Sequence, residues 1–254
     1  PGFTWNCSDQ GRIAALLFRA HQITGEPMAL ERALGLVKFA EGHFLNDKGG
    51  FGFGSVTGAQ PSVWLWKTED IEKALPPEDA QWWIAATGMS SLGNLPSEVD
   101  PSRVFFRKNS LSLPKPLSAV AAKFSVPAAD FQARFETSRK KLIEIRAKKL
   151  GPVTKDLVSH AGANFRMISA YAAAYAATGD SVWKDKAVTL LAQSRTEFFA
   201  DGKLQSFGVG SGPNNVEARA FIYALAVQAA IDVADITSDD APLVWVEELC
   251  GITE

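Results

Sequence analysis

Residues 9–50 read DQGRIAALLFRAHQITGEPMALERALGLVKFAEGHFLNDKGG, and they return at an offset of 154 as ANFRMISAYAAAYAATGDSVWKDKAVTLLAQSRTEFFADGKL. Arg12 matches Arg166, Thr24-Gly25 matches Thr178-Gly179, Ala33 matches Ala187 and Phe44 matches Phe198. Asp47 pairs with Asp201, and Phe53-Gly54 with Phe207-Gly208. Self-similarity at a fixed offset is the mark of stacked supersecondary units. Each copy predicts a helical hairpin. Ile13, Leu16, Leu17, Ala20 and Ile23 recur at helical spacing and share one face. The Thr-Gly-acid step ends that helix, because glycine accepts the left-handed conformation that closes a helix C-terminus. A second amphipathic helix follows, with Leu30, Leu34, Val37 and Phe44 on its buried side.

A third, more diverged copy starts near Glu217 as EARAFIYALAVQAAIDVADI, breaks at Thr237–Asp240 and resumes as PLVWVEELCGI. It lacks the Thr-Gly step. The Ala-rich runs 170–177 and 224–230 let helix backbones approach closely. Hairpins at about 9–54, 163–208 and 217–254, with an insertion at about 55–155, predict one mainly α domain over 1–254. Its expected form is an α/α toroid or partial toroid with a few short strands in the insertion, and a plain helical bundle is the rival.

The insertion opens on glycine-rich turns, and the alternation in SVWLWK (62–67) predicts a short strand. Thr68 is a candidate cap for a helix through IEKAL, and Pro76-Pro77 starts another that carries Trp82 and Trp83. GNLPSEVDPSRVFFRK (93–108) predicts a turn followed by a strand, and a basic amphipathic helix over 128–149 closes the segment.

Composition removes several classes. A net charge of −2 argues against a protein built to grip nucleic acid or an anionic membrane. No apolar run reaches the roughly 18 residues of a membrane span, and the lack of a signal-peptide pattern points to the cytoplasm. Cys7 and Cys250 lie at opposite ends, and His21, His43 and His160 make no metal-binding pattern. The segment GGFGFG (49–54) lacks the helix and lysine of a phosphate loop. No metal and no cofactor are expected. The chain's start at Pro1 and the shortened third hairpin suggest a piece of a longer protein or a reduced family member.

Several short motifs occur in a fixed order: Gly49-Gly50-Phe51, then Trp64-Leu65-Trp66-Lys67-Thr68-Glu69-Asp70-Ile71, then Gly93-Asn94. Next come the basic run Arg139–Lys149 with Pro152, the segment Lys155-Asp156-Leu157-Val158-Ser159, and Glu217-Ala218-Arg219-Ala220-Phe221. In this order the chain resembles the helical half of the YyaL-like family of thioredoxin-domain proteins, the family of spermatogenesis-associated protein 20. That half is itself similar to six-hairpin glycosidases and N-acylglucosamine 2-epimerases. The resemblance implies an α/α toroid, a sugar ligand, and a thioredoxin-like domain as partner. The departures are informative. The family's acidic stretch after GGF falls on Gly54-Ser55-Val56-Thr57-Gly58-Ala59-Gln60, which holds no carboxylate. The family's W-N-G falls on His160-Ala161-Gly162 or on Ala163-Asn164, and either way its tryptophan is lost.

In a toroid the first helices of the hairpins run parallel, so residues near their N-termini gather at one mouth. This register nominates Asp9 and Glu217 as a pair of acids for proton transfer at a glycosidic or anomeric centre. Asn164, His160 and Gln10 would position substrate, and Trp64 and Trp66 would offer stacking surface. Against this, Ser8 or Asp9 is an ordinary N-cap, an acid such as Glu217 suits a first turn, and tryptophans usually pack inside. Two function classes follow: a carbohydrate-binding or carbohydrate-active module, catalytically degenerate or not, and a non-catalytic scaffold for a thioredoxin-like domain or other protein.

Overall fold

Asn6 turns the chain into its first helix: its Oδ1 accepts from the backbone N–H groups of Ser8 and Asp9, at 2.8 and 3.3 Å. It is the cap that Ser8 or Asp9 was expected to supply, and Asp9 instead occupies the first turn. Helix α1 (Cys7–Thr24) ends on Gly25, whose φ of 70° places it in the left-handed region. Helix α2 (Pro27–Phe44) follows, capped by Glu26. In the second copy α7 (Ala161–Thr178) is capped by His160 and ends on Gly179, also at φ 70°. Helix α8 (Ser181–Phe198) is capped by Asp180. Every limit and every cap of the second pair lies 154 residues after its counterpart. A third pair, α9 (Ala220–Thr237) and α10 (Ala241–Thr253), meets at a left-handed Ser238, φ 55°, where the other copies have glycine.

The computed structural model describes residues 5–57, 61–150, 153–208 and 216–253, and these divide into two units. Thr57–Val153 form one, and Thr4–Val56 with Thr154–Glu254 form the other. In the larger unit α1, α7 and α9 lie in one row, and α2, α8 and α10 each back the helix that precedes them. These two layers are the layering of an α/α toroid wall. The N-terminal end of the row carries a small sheet. Strand β1 (Trp5–Asn6) pairs antiparallel with β2 (Gly52–Thr57) at Trp5↔Ser55 and Asn6↔Gly54, and β3 (Val153–Ser159) lies on β2's other side. Strands β4 (Phe199–Ala200) and β5 (Lys203–Leu204) form a hairpin after α8.

The row is packed through small residues, which reverses one expectation. Gly11, Ala14, Ala15 and Phe18 are the buried face of α1. Ile13, Leu16 and Ile23 are 46%, 55% and 85% exposed. On α7, enclosed by both neighbours, the Ala170–Ala174 turn is buried on all sides. Helix α9 corrects another expectation: with 18 residues and a mean hydropathy of 1.5 it is long and apolar enough to cross a membrane, yet half of it is buried against its neighbours. Its apolar character is that of a core helix.

The smaller unit, with α3 (Thr68–Ala74), α4 (Pro77–Thr87), α5 (Leu117–Lys123) and α6 (Ala128–Leu150), contains the basic helix and most of the tryptophans. Trp82 stacks on Phe131 at 4.9 Å and Trp83 on Phe135 at 4.5 Å. Arg134 lies 4.1 Å over Trp82 and bonds Glu78 and Asp79. The expected SVWLWK strand is a 3-10 turn over Pro61–Trp64 followed by one bridge, Trp66↔Asn109. Buried Asn109 holds that bridge: its Nδ2 donates to the carbonyls of Trp66 and Ser90. The segment 93–108 is turns and irregular chain, with no strand. Thr68 begins α3 rather than capping it, and Lys67 is the cap.

A close approach in the row lies between Gly11 and the Arg166 backbone. A Cβ at Gly11 would fall 2.9 Å from the Arg166 carbonyl carbon and oxygen. Gly11→Ala gains about 1 kcal/mol of helix propensity but costs about 1–3 kcal/mol of overpacking against backbone that cannot swing aside. The expected result is a lower midpoint in a calorimetric melt. An unchanged or raised midpoint would show that α1 and α7 part freely.

Candidate functional site

His160 sits at the N-terminal end of the row, half-buried, between two repeat-related phenylalanines. Its ring is 5.2 Å from Phe53 and 5.3 Å from Phe207, both edge-on. Those two rings are 46% and 36% exposed. Backbone pairing sets this trio in place: His160 N–H donates to the Phe51 carbonyl at 2.9 Å, and His160 bridges Phe207. As the cap of α7, His160 accepts the Ala163 N–H on Nδ1 at 3.3 Å. That bond assigns the neutral tautomer with its proton on Nε2. Burial lowers the proton affinity of the imidazole, with Asp156 opposing.

Asn164, one turn further, is 1% exposed. Its Oδ1 accepts the Phe51 N–H at 2.9 Å, and its Nδ2 donates to the carbonyls of Phe51 and His160 at 3.0 and 2.8 Å. The side chain thus holds the Phe51 loop on α7. Ser159 Oγ continues the network to Glu197 at 3.0 Å.

The two nominated acids are not at one level. Asp9 is the third residue after its cap Asn6, whereas Glu217 lies two residues before its cap Arg219 and outside α9. Glu217 bridges Gln205 in an extended segment, and its exposed carboxylate meets Lys203 at 3.1 Å. Gln10 is half-buried in α1. Trp64 and Trp66 belong to the smaller unit. There Trp66 is buried under Lys149, 5.0 Å from the ring, and half-buried Trp64 lies 5.3 Å from Arg146. Among the described residues no three His, Cys, Asp or Glu gather as a metal site would need.

Sequence reasoning passed over the charges further along the row. A groove of about 170 Å³ is lined by Arg12 and Arg19 of α1, Arg166 and Ser169 of α7, and Gln228 and Asp232 of α9. Arg19 and Gln228 both donate to Asp232 Oδ1, at 3.2 and 2.9 Å. Burial and then the like charge of Arg12 lower the proton affinity of Arg166, while Asp232 and Asp9 oppose. The signal was present in the repeat, since Arg12 and Arg166 occupy the same position in two otherwise diverged helices.

No family model matches the chain. It is similar to mouse (Mus musculus) spermatogenesis-associated protein 20, 22% identical over 284 aligned positions that cover 98% of this chain and 35% of that protein. The chain therefore spans about a third of the length of that curated relative. The expected resemblance is found in this match. Among solved structures it is similar to a D-mannose isomerase: 10% identity, 97% of this chain, 57% of that one, TM-score 0.37. It is also similar to cellobiose 2-epimerase from Spirochaeta thermophila: 11% identity, 98% and 58% coverage, TM-score 0.36. A third is a GH76 α-mannanase from Bacteroides thetaiotaomicron: 14% identity, 98% and 56% coverage, TM-score 0.32.

Two stability measurements check this geometry. Asn164→Ala leaves the Phe51 N–H buried without an acceptor and should cost about 1–3 kcal/mol in urea denaturation. For His160, a lowered proton affinity in the fold means that the unfolded chain binds more protons below the ordinary histidine value near 6.5. Stability therefore rises with pH and is lost as pH falls through that range. Melts at pH 7 and pH 5 should show that loss, and His160→Asn, which keeps a capping side chain, should reduce it.

Proposed function

We propose that this chain is a carbohydrate-binding module whose ligand lies at the N-terminal end of the α1–α7–α9 row. One observation carries the reading. Phe53 and Phe207, equivalent in the two copies and both open to solvent, flank a neutral histidine whose Nε2–H is a hydrogen-bond donor. Aromatic faces for the C–H side of a sugar, beside a few fixed polar groups, are the chemistry that recognises a pyranose. Asp9 enters as an acid of the rim, and its field reaches Arg166. Glu217 enters as a second acid, tied to Lys203. Catalysis by these two is the finer proposal, and turnover of an oligosaccharide by wild type but not by Asp9→Asn or Glu217→Gln is its test.

The scaffold reading has its own support. The stripe Ile13, Leu16 and Ile23 on α1 is an apolar surface that a partner such as a thioredoxin-like domain could cover. Thermal-shift titrations separate the two readings. Glucose, mannose or cellobiose should raise the melting midpoint in a saturable way, and Phe53→Ala with Phe207→Ala should abolish the rise. A flat response to these three and to acidic or phosphorylated sugars alike would overturn the carbohydrate reading and leave the scaffold.

A further inference from the structure

We infer that the ligand of this row is an anionic sugar, its phosphate or carboxylate group held between Arg12 and Arg166. The inference rests on the carbohydrate reading and names the class of ligand within it. The two guanidinium groups project from the same register position of neighbouring helices, each the sixth residue after its cap. Both line one groove. Among the described residues neither has a hydrogen-bond or ion-pair partner. The third arginine differs: Arg19 is answered by Asp232, which Gln228 also holds.

A like charge beside the half-buried Arg166 is costly, and after burial it is the charge of Arg12 that weakens Arg166's hold on its proton. An anion bridging them removes that repulsion and gains charge-assisted, forked hydrogen bonds. The carboxylates that face Arg166 are Asp232 and Asp9. With Asp232 engaged by Arg19, the groove keeps a positive excess: three arginines against these two acids.

Size points to a head group rather than a whole sugar. The groove of about 170 Å³ is roughly half the lower end of ordinary ligand pockets, about 300 Å³, and holds about six waters' worth of volume. Asp232 adds the second half of the signature. Its Oδ1 is saturated, but its Oδ2 is buried with no partner. An acceptor in that state suits a hydroxyl of the same ligand, next to its anionic group. An anion flanked by hydroxyls is what a sugar phosphate or a uronic acid presents.

The test is calorimetric titration of the whole chain, at fixed ionic strength, with glucose 6-phosphate, glucuronate, glucose and inorganic phosphate. An anionic sugar should bind at least tenfold more tightly than glucose. Its affinity should fall about tenfold or more in Arg12→Gln and in Arg166→Gln, and partly recover in Arg166→Lys. Lys38→Gln, the same charge change on the exposed side of α2, should leave it unaltered. Because Arg12 is exposed, the Arg12→Gln variant keeps the inference testable should Arg166→Gln fail to fold. If glucose binds as tightly as both anionic sugars and neither arginine variant matters, the anion inference falls and the carbohydrate reading stands. If only inorganic phosphate binds, through these arginines, the carbohydrate reading falls and the pair remains an anion site. Binding of none of the four overturns both.

Discussion

The larger unit depends on how closely α1 lies against α7. Gly11 has no room for even a methyl group, because its missing Cβ would touch the Arg166 backbone. This approach brings the arginines of two helices into one groove and leaves α7 enclosed, with Ala161, Ala163, Ala170 and Ala174 wholly buried. Alanine contributes little burial free energy per side chain. Cohesion comes from the density of backbone and Cβ contacts along each helix, and from the large residues at the layer boundary: Phe18, Phe44, Phe165, Phe198 and Trp245 are all buried. The wall is therefore thin inside and heavy outside.

That distribution explains what could be read in the chain and what could not. Helix limits were legible because they are local chemistry. A threonine followed by glycine ends α1 and α7 alike, and Thr24 and Thr178 make the same bond to the carbonyl four residues back, at 2.8 and 2.7 Å. Thr237 repeats it in α9 at 2.8 Å, so that copy keeps the chemistry although serine replaces the glycine. The buried face of α1 was not legible. The rule that large apolar residues face inward fails where helices meet through glycine and alanine, and it points to Ile13 and Leu16 when the contact is made by Gly11, Ala14 and Ala15. In the smaller unit the alternation of Trp64 and Trp66 suggested a strand, but Trp66 finds its pairing in a single bridge supported by the Asn109 side chain. A long-range side-chain contact of that kind leaves no periodic trace.

The candidate site shows the same division. His160 was nominated because it neighbours a motif, and it caps α7 where Asn6 caps α1. Asn164 was nominated as a polar group near the rim, and burial gives it a structural task instead, with Phe51 as its partner. The acids were paired as residues near the N-termini of parallel first helices, which requires both to lie at the same level of their helices. The lengths are equal, 18 residues in α1, α7 and α9, but Glu217 precedes its helix. An extended bridge to Gln205 carries it away from the level of Asp9.

Arg166 presents a conflict between stability and any purely structural role. A half-buried guanidinium near a second one, with no bond of its own, adds nothing to folding that a glutamine would not supply more cheaply. Local rules broken without compensation inside the fold mark positions where function sets the residue. Arg19 shows the alternative on the same helix: one turn beyond Leu16 it finds Asp232 and becomes part of the wall. Spacing therefore separates two kinds of arginine within a single groove. One kind closes the row of helices from α1 to α9, and the other leaves a positive charge facing whatever enters the groove.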